Sequence, residues 1–192
     1  MKIIDISADP FLTPNYADDP EPIYKWIRTI GEKSDYNLSV MGMTPHSGTH
    51  IDAPLHYING SEDAASIQLE RCYGPCTVVS LTGALTGEDM DKLLPHCRKR
   101  LLIHGGGEAS LELSAARVLA ENKMILVGTD SMSISFDDQE TQVHRELLSN
   151  GILILENLDL GSAPDGDYIL SALPLKLGGM EASPVRAVLF AK

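Results

Sequence analysis

The segment from Pro45 to His56 places the strongest constraint on how this chain can fold. It holds three of the six histidines of the chain, together with an aspartate. The side chains with donor atoms follow one another at even spacing: His46, His50, Asp52 and His56. In a regular strand they would share one face but extend over ~33 Å. Donor atoms around one ligand lie within a few ångströms, so we expect the chain to curl, most easily at Gly48 and Pro54.

The chemistry of this segment points to metal. Imidazole nitrogens and carboxylate oxygens are the usual protein ligands of zinc, manganese and iron. A histidine-rich surface loop is the simpler alternative. Three histidines and an aspartate interleaved with glycine and proline nevertheless favour metal binding, because a tight, irregular segment with so many polar side chains has few structural uses.

A second set of candidate ligands lies far downstream. Glu156 follows four consecutive apolar residues, Ile152 to Leu155, and is therefore predicted at the end of a buried strand. A carboxylate there is costly unless it is paired or bound to a metal. His144 precedes it by twelve residues, on the helix predicted before that strand. From the residues alone, Glu156 could equally pair with an arginine or cap a turn, and His144 could be an ordinary polar residue of its helix.

Strands and helices alternate in the second half of the chain. Apolar, β-branched runs predict strands at residues 2–6, 76–81, 100–104, 124–128, 152–155, 168–170 and 185–190. The predicted helices are residues 21–32 with Trp26 and Ile27, a short helix capped by Thr86, residues 113–122 with Ser114 as a possible cap, and residues 138–150, stopped by Gly151. This alternation implies an α/β domain with some parallel pairing. No linker divides residues 1–192, so we expect a single domain.

Composition and charge exclude several classes of partner. With 27 acidic and 15 basic residues, the formal net charge is −12, which disfavours nucleic acid and anionic membranes. The three cysteines form neither a disulfide framework nor a Cys-x-x-Cys site. The sequence shows no signal-peptide pattern and no run of ~18 apolar residues. We therefore expect a cytoplasmic protein.

Other catalytic patterns are missing. The sequence contains no Gly-x-Ser-x-Gly elbow. The glycine run at 105–107 lacks the Lys-Ser/Thr of a phosphate loop and the spacing of a dinucleotide-binding turn, so it is predicted to be a flexible turn after a strand. Asp130 and Ser131 follow a predicted strand, a usual place for site residues in α/β sheets, although they could equally form a turn or a cap.

The segment from His46 to His56 resembles the hallmark of the cyclase family of metal-dependent hydrolases, which includes bacterial kynurenine formamidase and isatin hydrolase. The family pattern His-x-Gly-Thr-His-x-Asp-x-Pro-x-His stands here complete as His-Ser-Gly-Thr-His-Ile-Asp-Ala-Pro-Leu-His. His144 and Glu156 also match the later histidine and glutamate of the family. Further similar segments are Gly74-Pro75, Leu126 to Ser131, Leu173 to Leu177 and Ser183 to Ala187.

The resemblance implies a swivelling β/β/α fold with a mixed sheet and usually two divalent metals per chain, zinc or manganese. It also assigns the metal ligands: His46, His50, Asp52, His144 and Glu156. Asp52 and Glu156 would bridge the two metals. His56 would transfer protons rather than bind metal, a distinction that spacing alone does not make. A homodimer or larger homo-oligomer is common in the family.

The N-terminal substrate turn departs from the family pattern. Members often carry an aromatic-Pro-Gly-Asp turn, and the corresponding stretch here is Tyr16 to Pro20, which lacks the Pro-Gly. Tyr16 is therefore the predicted substrate-binding aromatic residue. The expected substrate is a small aromatic amide, with N-formylkynurenine first, a cyclic amide such as isatin second and a lactone third. A metal-binding module without catalysis is the alternative from another class, but simple binding needs no proton-transfer residue such as His56.

Overall fold

The computed structural model describes residues 2–31 and 33–191. The strands within these residues are β1 (Lys2–Asp5), β2 (Ile23–Arg28), β3 (Leu38–Gly42), β4 (His50–Asp52), β5 (Tyr73–Ser80), β6 (Gly83–Leu85), β7 (Arg100–His104), β8 (Ala109–Leu111), β9 (Leu126–Thr129), β10 (Leu153–Glu156), β11 (Gly166–Ser171), β12 (Ala182–Pro184) and β13 (Val188–Ala191). The α-helices are α1 (Leu69–Cys72), α2 (Gly87–Leu93), α3 (Leu113–Glu121) and α4 (Glu140–Ser149). Among the described residues, no helix combines the length and hydropathy that crossing a membrane requires.

Nine strands form one mixed sheet in the order β1-β13-β11-β5-β7-β9-β10-β4-β12. The four central strands β5, β7, β9 and β10 run parallel to one another. Antiparallel strands flank them on both sides. Parallel strands are normally buried on both faces and read as continuous apolar runs, as the sequence of β10 does up to Glu156. The α/β class with a mixed sheet is therefore confirmed.

Alternate residues of the central strands fill two separate hydrophobic clusters. Leu101 and Ile103 of β7 pack on the side of α2, α3 and α4, against residues such as Leu119. Leu102 points to the other face, into a cluster that also contains Ile4 of β1 and Ile51 of β4. Since β1 and β4 lie near opposite ends of the strand order, the sheet must curl around this second cluster.

Two predicted helix signals are borne out at the atomic level. Thr86 caps α2: its side chain accepts a hydrogen bond from the backbone N–H of Asp89, whose carboxylate accepts from the backbone N–H of Thr86. This reciprocal pair is a capping box, and it satisfies donors that the helix itself cannot. Gly151 follows α4 with φ +72°, a left-handed conformation that suits glycine after a helix.

The helix predicted for residues 21–32 is wrong. The described part of that stretch contains strand β2, which pairs with β3 in an antiparallel hairpin, and residue 32 lies outside the described residues. The apolar residues at 23, 26, 27 and 30 fit helical spacing. However, β2 is rich in aromatic and β-branched side chains, which favour an extended strand where a second strand can pair with it.

Ser114 does not cap α3. The residue at the cap position is Glu112, and no side chain there accepts a cap hydrogen bond. The Ser114 hydroxyl instead accepts a hydrogen bond from the backbone N–H of Gly87, at 2.9 Å. Its polar group therefore links α3 to the start of α2.

Candidate metal centre

Strand β4 carries two of the predicted ligands into the interior. His50 and Asp52 are no more than 2% exposed, and their strand pairs with β10 on one side and β12 on the other. His50 lies opposite Glu156 in the register of β4 and β10. Residues two apart on a strand, and residues opposite each other across strands, share a face of the sheet. The three side chains therefore converge.

The chain curls on both sides of β4, as the spacing predicted. Before the strand, Gly48 has φ +65°, and a Cβ there would come within 2.9 Å of backbone atoms of Ala8 and Pro10. After the strand, residues Pro54–His56 form a turn of 3-10 helix. This turn brings the ring of His56 back to that of His46, with 4.4 Å between the ring centroids.

Backbone carbonyl groups fix the orientation of two histidines. His144 Nδ1 donates a hydrogen bond to the carbonyl oxygen of Glu140 at 2.8 Å, and His50 Nδ1 donates to that of Gly48 at 2.9 Å. Because a carbonyl oxygen can only accept, Nδ1 carries the proton in the neutral form of each ring. Each Nε2 then presents its lone pair to the centre, which is the arrangement that metal-binding histidines adopt.

The donor atoms form two groups of three that share Asp52. The groups are His46, His50 and Asp52, and Asp52, His144 and Glu156. His50 Nε2 lies 3.5 Å from Asp52 Oδ1 and 3.3 Å from Glu156 Oε2. His144 Nε2 lies 3.3 Å from Glu156 Oε1, and His46 Nδ1 lies 3.2 Å from Asp52 Oδ1. The carboxylate of Asp52 thus lies between the two groups of donors, in the position that a ligand bridging two metal ions would take.

The environment of Asp52 supports a bound cation. The side chain is fully buried, and neither carboxylate oxygen has a hydrogen-bond partner among the described residues. Glu156, 5% exposed, accepts one backbone hydrogen bond, from Ile134 N at 2.7 Å. Buried carboxylates are costly without positive charge nearby. The imidazole and carboxylate donors around them fit zinc or manganese.

Without metal, protons would have to supply that positive charge. Burial opposes charge on His144, but the hydrogen bond to Glu156 and the charges of Glu156 and Asp52 outweigh it and raise the pKa of His144 to about 9. The same neighbours raise the pKa of His50 against its burial. The two histidines in turn overcome the burial of Glu156 and hold its pKa well below the usual range. The cluster therefore favours positive charge at its centre.

A cavity of about 330 Å³ opens above the cluster, within the usual size range of small-molecule sites. Its walls include Tyr16, whose hydroxyl donates a hydrogen bond to Glu140 Oε2 at 2.8 Å. Tyr57 also lines it, and its ring stacks on His144 with 4.6 Å between centroids. Burial raises the pKa of Tyr57. The cavity thus has an acidic and imidazole floor with two aromatic rings in its walls.

Sequence comparison places the chain among known proteins. The Cyclase family model, described as "Putative cyclase", matches residues 4–135. The chain belongs to the Cyclase family. Kynurenine formamidase of Paracidovorax citrulli (strain AAC00-1) is 35% identical over 195 residues, covering 92% of this chain and 90% of that protein.

Solved structures share the fold over the whole chain. A protein described as "Potential Metal-Dependent Hydrolase With Cyclase Activity" matches with a TM-score of 0.82 and 30% identity, covering 100% of this chain and 98% of that chain. An isatin hydrolase bound to the product analogue thioisatinate matches with a TM-score of 0.84 and 19% identity, covering 100% and 93%. The family resemblance and the fold predicted from the sequence are therefore confirmed.

The Cyclase-family fold brings all seven predicted site residues together. Asp52 lies at the centre of the cluster, and six residues line the cavity: Tyr16, His46, His50, His56, His144 and Glu156. His56 belongs to neither group of three donors. Asp130 serves elsewhere: its carboxylate accepts hydrogen bonds from the backbone N–H groups of the glycine run at 105–107, which supports the turn predicted there.

Glu140, Tyr57 and Glu181 are among the cavity residues that the sequence did not predict. Glu140 precedes His144 by four residues, so both lie on one face of α4, and this helical spacing was an available signal. Tyr57 directly follows His56. Glu181 Oε1 lies 3.4 Å from His46 Nε2, but no local pattern links two residues that meet only because β12 pairs with β4.

Proposed function

We propose that this chain is a divalent-metal-dependent arylformamidase that hydrolyses N-formylkynurenine to kynurenine and formate. The proposal is carried by the two donor groups that share Asp52 at the floor of a cavity of about 330 Å³. The similarity to the kynurenine formamidase of Paracidovorax citrulli, which covers 90% of that protein, supports an aryl formamide as the substrate.

Five side chains would hold two metal ions. His46, His50 and Asp52 would bind one, and Asp52, His144 and Glu156 the other. When bound, such ions lower the pKa of water to ~7 and polarise a substrate carbonyl. The carbonyl groups of Gly48 and Glu140 contribute by keeping the Nε2 atoms of His50 and His144 turned to the centre.

His56 would transfer the proton that the reaction requires. Hydrolysis adds water across the C–N bond: the water oxygen joins the formyl carbon, and a proton must reach the aryl nitrogen as the bond breaks. Burial lowers the pKa of His56 more than the charge of Asp52 raises it, so the ring is neutral at neutral pH and can accept a proton. A histidine that can both accept and release a proton suits this step.

The cavity walls suit an aromatic substrate with an amino group. The rings of Tyr16 and Tyr57 can stack on an aryl ring, which adds ~0.5–1.5 kcal/mol beyond area burial. Asp19, Glu140 and Glu181 line the cavity, whereas none of its described lining residues is a lysine or arginine. The amino-acid end of N-formylkynurenine would therefore turn its ammonium group, rather than its carboxylate, toward these acids.

A substrate panel with controlled metal content tests the proposal. Protein stripped with a chelator and reloaded with zinc or manganese is assayed on N-formylkynurenine, formanilide, isatin and a phosphodiester. We expect fastest turnover of the formamides, loss on stripping and recovery on reloading. Faster ring opening of isatin would assign the cyclic-amide reaction instead. No turnover of any amide with either metal would leave only a metal-binding module.

A further inference from the structure

Within the described residues, no backbone carbonyl group orients the ring of His46. The other two candidate ligand histidines each donate from Nδ1 to a carbonyl oxygen, so that Nε2 faces the centre. His46 lies the other way round: its Nδ1 is beside the shared carboxylate, 3.2 Å from Asp52 Oδ1. Its ring also contacts that of His50, with 4.8 Å between the centroids. The first donor group therefore meets the Nδ1 atom of His46.

The Nε2 atom of His46 is a buried polar atom without a hydrogen-bond partner in the described part of the chain. A neutral imidazole has one N–H and one lone pair, so a metal bound at Nδ1 leaves the proton on Nε2. A buried N–H without an acceptor is unfavourable. Metal-binding histidines almost always donate this second N–H to a carboxylate, a carbonyl group or water. The arrangement of His46 therefore requires an acceptor beside Nε2.

Glu181 places a carboxylate beside this nitrogen. Its Oε1 lies 3.4 Å from His46 Nε2. Backbone hydrogen bonds hold the segment: Ala53 N donates to the carbonyl oxygen of Glu181 at 2.9 Å, and Ala64 N donates to that of Met180 at 2.8 Å. The side chain of Glu181 is 36% exposed and can turn. A shift of about half an ångström therefore brings the two atoms to the usual hydrogen-bond distance of about 2.9 Å.

We propose that Glu181 is a positioning residue of the metal centre: its carboxylate accepts the Nε2 proton of His46 and holds Nδ1 toward the first donor group. This inference rests on the two-metal centre of the proposed function. It makes the two donor groups unequal. His144 is held by a backbone carbonyl group, that of Glu140, which a change of side chain leaves in place. His46 is held by a side chain, so a change at Glu181 weakens the binding of one ion and spares the other.

Competition between zinc-loaded protein and a chelator tests this role. Elemental analysis of the protein at rising chelator concentrations gives the affinity of each ion. We expect the unchanged chain to hold two ions. Glu181→Ala removes the acceptor and should weaken one of them by about 10- to 100-fold, as the loss of an outer partner of a ligand histidine does. Glu181→Gln keeps an acceptor oxygen at the same reach and should recover most of that loss.

Glu140→Ala is the matched control. It removes the same charge from a residue that lines the same cavity, but the Glu140 carboxylate accepts from the hydroxyl of Tyr16 rather than from a candidate ligand with an unpartnered nitrogen. The backbone carbonyl group that holds His144 remains in this variant. Both ions should therefore stay bound nearly as tightly as in the unchanged chain. Equal loss of zinc from Glu140→Ala and Glu181→Ala would assign the effect to charge and overturn the proposal.

Nitrogen-15 NMR of the histidine rings in the zinc-loaded, unchanged chain reads the tautomers without any substitution. We expect the proton of His46 on Nε2 and those of His50 and His144 on Nδ1, a difference that a merely structural role of Glu181 does not require.

None of these measurements uses turnover, so they separate this proposal from the proposed reaction. A proton on Nδ1 of His46, or unchanged zinc affinity in Glu181→Ala, would overturn the role of Glu181 even if the unchanged chain hydrolyses N-formylkynurenine. Two bound ions with the expected tautomers and the expected loss in Glu181→Ala would support it even if no amide is hydrolysed. An unchanged chain that holds no zinc would overturn both proposals.

Discussion

Asp52 and His56 stand four residues apart in one motif, but their surroundings differ in a way that separates their roles. Asp52 is fully buried, belongs to both donor groups and receives no hydrogen bond from a described residue. His56 belongs to neither group and lines the cavity. The sequence could nominate both residues as ligands. Only the positions of their neighbours distinguish Asp52, the candidate shared ligand, from His56, the candidate proton-transfer residue.

Two substitutions should separate metal binding from proton transfer. Asp52→Asn keeps the shape of the side chain but removes the shared charge, so metal content and turnover should be lost together. His56→Ala should keep its metal and lose turnover by roughly a hundredfold or more, because positioned proton transfer contributes that much. Elemental analysis and the formamide assay on the same samples measure both. Loss of metal from His56→Ala would make His56 a ligand.

The ring of Tyr16 should act in substrate binding. Tyr16→Ala removes a ring from the cavity wall and should raise KM about two- to tenfold, with a smaller effect on kcat, because stacking binds ground and transition states alike. Tyr16→Phe is the matched control: it keeps the ring and loses only the hydrogen bond to Glu140, so its KM should stay closer to that of the unchanged protein. Equal kinetics of all three proteins would remove Tyr16 from the site.

At the level of elements, sequence patterns correctly predicted those strands and helices whose formation depends on residues close together in the chain. The central strands, α4 and the capped start of α2 follow from apolar runs and caps that act over a few residues. The hairpin of β2 and β3 could not be read from residues 21–32 alone, because helical spacing and β-prone side chains coincide there. The deciding factor was the pairing with residues 38–42, which a pattern within one segment cannot contain.

The turn before β4 gives a prediction at this level. Gly48 has φ +65°, and a Cβ there would meet backbone atoms at 2.9 Å, so Gly48→Ala should destabilise the fold by about 1–3 kcal/mol and weaken metal binding by shifting His46 and His50. Gly60 has φ +75° with nothing within 4 Å of its Cβ position. Gly60→Ala therefore has the same unfavourable positive φ but no close contact of its Cβ, and this variant should keep its metal. Denaturant unfolding and metal titration compare the two, and equal metal loss would refute the steric argument.

Across the whole molecule, the centre is assembled by contacts that no local pattern encodes. Strand β4 has only three residues, and it acquires its place by pairing with β10 and β12, which lie far along the chain. That pairing sets Glu156 beside His50 and Glu181 beside His46. The histidine motif and the strand ending in Glu156 could therefore be predicted from the sequence as two separate sets of candidate ligands. That the two sets meet in one cluster, and that Glu181 lies next to it, depends on the order of the strands in the sheet, which the sequence did not reveal.

The joined cluster also links the stability of the metal-free protein to pH. The folded protein raises the pKa of His144 to about 9, above the ordinary histidine pKa of about 6.5, so it binds this proton more tightly than the unfolded chain does. The resulting stabilisation is fully present below about pH 6.5 and is lost as pH rises through about 9. Above that, the buried Asp52 and Glu156 lose the imidazolium charge beside them. Bound metal would replace it.

We therefore expect chelator-treated protein to melt on the order of 5 °C further below metal-loaded protein at about pH 10 than at about pH 6. Thermal unfolding followed by circular dichroism at both pH values, with and without metal, measures the difference. Among the metal-free proteins, His144→Gln should lose most of this extra fall in melting temperature between about pH 6 and pH 10, because that side chain cannot be protonated. His104→Gln, which removes a histidine outside the two donor groups, should retain it. If the melting temperatures of the metal-free and metal-loaded proteins fell by the same amount between about pH 6 and pH 10, the cluster would not govern stability at alkaline pH.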